Sequence, residues 1–283
     1  DVASKVKGLK AGGVDYISKP VHREEVLARV RVHLRIRETN RKLAREQQSR
    51  LDALRNAQQA ILVRPQDFPE ASFAVFYQPM EEAGGDFYDV VRLDHDVFGY
   101  FVADVSGHGA SAAFLTSAVK ALLRQYAGPL YSPEDTMRGI DTVMRQMMGH
   151  EQYLTACYAR LNIRTRSLWV VSAGHPPIMV VSKSGEANLL QMNSDPLGIF
   201  STLVLQGKEL RVAPGDRIFL YSDGLIETGP GGRKSGLALL QKACVERRGQ
   251  PLAEAVKAIA GTIRESAQKI GDDLLLLAVE VPQ

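Results

Sequence analysis

The sequence predicts an α+β protein: a layered domain with sheets inside and helix pairs outside, set behind a long helix and a short leading segment. Three observations carry this. Strand-like runs recur from about Ser72 to the C terminus, the helical stretches between them come in pairs, and more than two dozen residues free of glycine and proline precede the first of those strands.

Residues 1–35 read as a helix, a break at Gly12-Gly13, a short β-branched strand at Val14–Ile17, then Lys19-Pro20 and a second helix. The run Val14-Asp15-Tyr16-Ile17-Ser18-Lys19-Pro20 resembles the last strand of a flavodoxin-like two-component receiver domain. The resemblance implies that Lys19 is the switch lysine that reaches a phosphorylated aspartate, and that a cognate histidine kinase is a partner. It covers only about the final third of such a domain, so the strand bearing the phosphoacceptor is expected outside these residues.

Residues 36–64 form the second segment. From Ile36 to about Ile61 the chain is rich in Arg, Gln, Glu, Ala and Leu and predicts one long helix. Steps of four and three place Ile36, Asn40, Leu43, Gln47, Arg50, Leu54, Ala57 and Ile61 on one seam, half of it apolar. A coiled-coil homodimer of modest stability is expected, the polar positions setting register. The other reading is a linker helix packed on its own catalytic domain. Arg64-Pro65 ends the helix and Phe68-Pro69 opens the next unit.

Residues 65–283 form the third segment. Strands are expected at Phe73–Tyr77, Phe87–Val91, Val97–Val105, Thr155–Asn162, Leu168–Ala173, Ile178–Val181, Arg217–Tyr221 and Leu274–Val281. Helix pairs are expected at Ala112–Tyr126 with Pro133–Met148, and at Gly236–Arg247 with Leu252–Lys269.

Composition narrows the function. At 283 residues and 45% hydrophobic content the chain supports a sizeable core and two or more units. The net charge is +3, and the 35 basic residues are spread through helical stretches without aromatic interleaving, which argues against nucleic acid. Cys157 and Cys244 have neither metal-ligand spacing nor disulfide density, so a reducing, cytoplasmic setting is expected. No apolar run reaches the length of a membrane span.

The chemistry lies in carboxylates beside glycine: Gly84-Gly85-Asp86-Phe87, Asp104-Val105-Ser106-Gly107-His108-Gly109, Ser222-Asp223-Gly224 and Gly271-Asp272-Asp273. Any one of these is most simply a tight turn. Four together, each at the edge of an apolar run, suit hard cations held on strand ends and hence metal-assisted phosphoester hydrolysis. With Ala173-Gly174-His175-Pro176-Pro177 between the second and third, their order resembles the bacterial PPM-type phosphatases of the SpoIIE/RsbU class, from about Ala60 to the end.

That resemblance implies a PPM-type layered β-sandwich and two Mn²⁺ or Mg²⁺ ions. Asp86 and Asp104 would lie between the ions, the Val105 carbonyl would serve the same cluster, and Asp223 and Asp272 would complete the first ion's shell. Asp273 is the alternative to Asp272. Gly85 is expected beside the site, giving phosphate close access. His108 is a candidate leaving-group acid or a turn residue, and His175 is expected to be structural. The implied substrate is a phosphoserine or phosphothreonine protein, typically an anti-sigma-factor antagonist. The rival function is an RssB-like adaptor, switched by receiver phosphorylation, that binds a sigma factor or its regulator; retention of every aspartate favours catalysis.

Overall fold

A computed structural model describes residues 2–17, 19–80, 84–107, 109–149, 152–227, 231–267 and 271–283. The chain divides into two compact units, Asp1–Asp52 and Ala53–Gln283.

The first unit holds α1 (Val2–Lys10) and most of α2 (Arg23–Ile61). The helix expected after Lys19-Pro20 and the long helix expected from Ile36 are one continuous α2 from Arg23: no glycine or proline intervenes, and Glu24 and Glu25 in its first turn complement the helix dipole. The strand expected at Val14–Ile17 is irregular backbone instead, and Val14 is 80% exposed. A strand needs a neighbour for its N–H and C=O groups, and none of the described strands pairs with this segment. Polar contacts hold it in its place. Asp15 takes a two-pronged hydrogen bond from Arg29 at 2.9 Å and meets His33 at 3.3 Å, so its carboxyl sits below the usual range, chiefly through Arg29. Lys19 stands exposed in the turn before α2, and the Lys19–Pro20 bond is cis.

The second unit is a sandwich of two antiparallel five-stranded sheets. Strands β1 (Phe73–Gln78), β6 (Ile178–Val181), β7 (Ala187–Leu190), β9 (Arg217–Tyr221) and β10 (Leu274–Glu280) form one, in the order β1-β10-β9-β6-β7. Strands β2 (Asp86–Asp94), β3 (Val97–Val105), β4 (Leu154–Asn162), β5 (Ser167–Ala173) and β8 (Gln206–Arg211) form the other in chain order.

Side-chain alternation builds three cores from these sheets. Tyr100 and Val102 of β3 point between the sheets and meet a layer containing Ile218, Leu220, Leu275 and Leu277. Their neighbours Phe101 and Ala103 point outward against α3 (Ala110–Tyr126) and α4 (Pro133–Met147), where Leu115, Val119, Ile140 and Met144 wait. On the other side Leu274 and Leu276 face α6 (Gly232–Glu246) and α7 (Leu252–Ser266). The run Leu274–Leu277 is therefore apolar on both faces because both faces are covered, and each buried leucine contributes about 2 kcal/mol.

The helices are fixed by local chemistry. Helix α4 opens on a capping box in which Ser132 Oγ accepts from Asp135 N at 3.0 Å and Ser132 N donates to Asp135 Oδ2 at 3.2 Å, with Pro133 in the first turn. Helix α3 is tied to β2 by Asp89, fully buried and bonded to Arg124 at 2.8 and 2.9 Å and to Lys120 at 3.2 Å. Two edge strands, β7 and β8, and the short α5 (Gly224–Glu227) were not expected from the sequence. Helix α6 begins four residues before the expected Gly236, and α7 ends at Ser266, ahead of the expected Lys269, which lies outside the described residues.

Candidate functional site

One end of the sandwich collects the acidic motifs. In the β2–β3 ladder Asp86 stands directly opposite Asp104, and in the β3–β4 ladder Asp104 stands opposite Thr155. Directly opposed residues share a face, so these three side chains line up on the inter-sheet side. From the facing sheet, Ser222-Asp223 follows β9 and Asp272-Asp273 precedes β10, and the β9–β10 pairing of Tyr221 with Leu276 sets both at the same end.

The two adjacent aspartates do different things. Asp273 is buried and faces inward: its Oδ1 accepts from Met80 N at 2.7 Å and its Oδ2 from Asp86 N at 3.2 Å. Asp272 is exposed, with Oδ1 accepting from Asp273 N at 2.8 Å. Asp273 thus fastens the segment that carries Asp86, and Asp272 Oδ2 has no hydrogen bond among the described residues. Ser222 Oγ accepts from Leu275 N at 3.1 Å and braces the same turn.

Missing side chains make this convergence possible. A Cβ on Gly84 would collide with Asp273 Oδ2 and lie 2.8 Å from the Tyr77 hydroxyl, which itself donates to Asp86 O at 3.1 Å. A Cβ on Gly85 would lie 2.5 Å from the Val105 carbonyl oxygen and 3.1 Å from Asp104 Oδ1. A Cβ on Gly224 would collide with Asp273 O. Any larger residue would push the two sheets' acidic ends apart.

Packing carboxylates together is costly, and their pKa values record it. Burial, then Asp104 and Asp273, raise the Asp86 carboxyl well above its ordinary value. Burial, then Asp223, Asp272 and Asp273, push Asp104 up to about 7. Asp223 and Asp272 are raised as well, burial first and the neighbouring aspartate after it. Asp86 Oδ2 is buried with no hydrogen-bond partner among the described residues. Among the described residues no three acidic, His or Cys side chains are drawn together closely enough to hold an ion ready-made. The donor set itself fits a hard cation: an orphaned buried oxygen, carboxylates that repel in its absence, and a main-chain carbonyl that Gly85 leaves uncovered.

His108 lies outside the described residues. His175 is buried; its Nδ1 meets Thr155 Oγ1 at 2.9 Å, and burial holds its pKa down to about 3, so the ring is neutral. Sequence reasoning missed Thr155 and Tyr77. It also missed Gln58 near the end of α2, which bonds both backbone polar groups of Gly84.

Known proteins place this arrangement in a family. The model of the Stage II sporulation protein E (SpoIIE) family matches residues 94–282, more than half of the chain. The chain belongs to that family. Phosphoserine phosphatase RsbP of Bacillus subtilis (strain 168) is 29% identical over 181 residues, 62% of this chain and 45% of RsbP. The chain spans about half the length of the curated relatives it matches. The SiaA-PP2C domain of Pseudomonas aeruginosa superposes with a TM-score of 0.74 at 23% identity, covering 84% of this chain and 98% of that one. RsbX, solved in complex with magnesium, shares the fold with a TM-score of 0.57 at 18% identity, over 74% of this chain and 94% of RsbX.

Proposed function

We propose that the chain is a metal-dependent protein serine/threonine phosphatase whose active site is the acidic end of the sandwich. The observation that carries this is the opposition of Asp86 and Asp104 across β2 and β3, with Asp223 and Asp272 facing them from the other sheet. Asp86, Asp104, Asp223, Asp272 and the Val105 carbonyl would hold two Mn²⁺ or Mg²⁺ ions, with Asp86 and Asp104 shared between them. Bound there, such ions would lower the pKa of water and offset phosphoryl charge.

The remaining work belongs to the chain. Asp273 and Tyr77 hold the Asp86 strand end, Gly84 and Gly85 keep the approach to it free of side chains, and Gly224 lets the Asp223 turn close over Asp273. Water attack in line with the leaving serine or threonine oxygen needs no covalent enzyme intermediate.

The name of the relative RsbP, a phosphoserine phosphatase, supports a phosphoserine or phosphothreonine protein as substrate, and the resemblance to the SpoIIE/RsbU class supports an anti-sigma-factor antagonist in the first instance. The resemblance at Val14–Pro20 supports a further proposal, that residues 1–35 belong to a receiver domain with Lys19 as its switch lysine, answering a histidine kinase. The exposed Ile36 and Leu43 of α2 support a homodimer through that helix. Phosphate release from an aryl phosphate by the purified chain, with and without Mn²⁺, tests the enzymatic reading: release that requires Mn²⁺ supports it, and none under either condition favours an adaptor.

A further inference from the structure

A second concavity adjoins the acidic end. It is a cleft of about 560 Å³ whose lining includes His175, Gln191, Asn193, Ile226, Arg233 and Lys234. Two contacts tie it to the site. Ile226 follows Asp223 in α5, its N–H bonded to Asp223 O at 2.8 Å, and a Cβ on Gly236 would run into the Ile226 backbone, so α6 with Arg233 and Lys234 is seated directly on α5. His175 bonds Thr155, the residue opposite Asp104 in the sheet.

The lining mixes apolar Met192, Ile226 and Leu237 with polar Gln191 and Asn193, and beside His175 its charged side chains are the cations Arg233 and Lys234, where the neighbouring site is acidic. Glu227, 3.6 Å from Arg233, offsets part of that charge, and Lys234 is in no ion pair among the described residues. A cleft that carries two cations suits a ligand bearing oxygen acceptors.

We propose that this cleft is a substrate subsite that takes an acidic side chain flanking the phosphoserine of the protein substrate. The proposal rests on the phosphatase reading above. It supplies what the aspartate motifs lack: they bring no lysine or arginine of their own, whereas Arg233 and Lys234 on the neighbouring helix would orient an acidic segment so that its phosphoserine falls over the aspartates.

The test compares two synthetic phosphoserine peptides, one with Glu at the flanking positions and one with Gln there, on the full chain with Mn²⁺. The wild-type kcat/KM should favour the Glu peptide by about five- to tenfold, the size expected of two solvent-touching charge pairs. In Arg233→Gln/Lys234→Gln that ratio should fall to about one. A wild-type ratio near one, or a ratio that survives the double substitution, overturns the proposal. Should the wild type fail to release phosphate even from an aryl phosphate, the phosphatase reading fails on its own. Fluorescence anisotropy of the labelled peptides then decides the cleft: preferential binding of the Glu peptide, lost in the double variant, supports it, and equal binding overturns it.

Discussion

Gln58 grips both backbone polar groups of Gly84. Its Nε2 donates to Gly84 O at 2.8 Å, its Oε1 accepts from Gly84 N at 3.1 Å, and the side chain is 6% exposed. Gly84 lies two residues before Asp86, so the end of α2 touches the chain that delivers a proposed metal ligand. The same Nε2 approaches Thr116 Oγ1 of α3 at 3.5 Å. Ile61, also in the last turn of α2, packs against the core under α3 and α4.

Removing this grip should loosen the approach to Asp86 without unfolding the sandwich. Gln58→Ala leaves the Gly84 N–H and C=O without their partner, at a cost of roughly 1–3 kcal/mol. Urea unfolding should show that loss, and the Mn²⁺ concentration for half-maximal activity should rise severalfold. An unchanged Mn²⁺ requirement would mean that Gln58 only packs.

The raised carboxyls fix the sign of a pH effect. Asp104 at about 7, and Asp86, Asp223 and Asp272 also above their ordinary values, bind protons more tightly folded than unfolded. Their contribution to stability is full below about pH 4, the unfolded value, and is lost as pH rises through the folded values. With EDTA present, the unfolding free energy should fall between pH 5 and pH 8. Mn²⁺ should reverse the trend, because a cation competes with those protons. A metal-free protein that gains stability over this range would contradict the account.

Asp272 and Asp273 should separate cleanly. Asp273→Asn removes an acceptor from either Met80 N or Asp86 N and should lower stability by roughly 1.5–3 kcal/mol, as hydrogen bonds to a charged group do. Asp272→Asn touches one local bond and relieves repulsion, so metal-free stability should hold or rise while Mn²⁺-dependent turnover falls. Thermal melts in EDTA beside phosphate-release rates distinguish the two.

Helix α2 carries a test of association. Ile36 and Leu43 are 50% and 52% exposed, and they lie on the seam with the exposed polar residues Asn40, Gln47 and Arg50. Light scattering should give a dimer for the wild-type chain at tens of micromolar and a monomer for Ile36→Asp/Leu43→Asp. If both are monomers, the seam does not pair.

The sequence made the sandwich legible where burial imposes a pattern. Val97–Val105, Ile178–Val181 and Arg217–Tyr221 are strands with the expected bounds, because each is an apolar run buried throughout nearly its whole length. Gln206–Arg211 was silent, since an edge strand facing solvent carries no apolar alternation, and Ala187–Leu190 is too short and too exposed to show one. At Val14–Ile17 local β propensity had no partner strand to act through. The glycine-flanked aspartates were visible as motifs. The division of labour between Asp272 and Asp273 was not, because it depends on partners nearly two hundred residues away in the chain. Gln58 was hidden for the opposite reason: one polar residue in a polar helix gives no sign that it is buried.

The central claim is that the facing aspartates hold the divalent cations that drive phosphate release. Calorimetric titration of Mn²⁺ into the full chain and into Asp86→Asn, with phosphate release followed in parallel on a phosphoserine protein, tests it most directly. The wild type should bind Mn²⁺ saturably, with activity that tracks occupancy. In Asp86→Asn binding should weaken and turnover should fall on the order of a hundredfold or more, with circular dichroism unchanged. Undiminished Mn²⁺-dependent release by Asp86→Asn would contradict the claim.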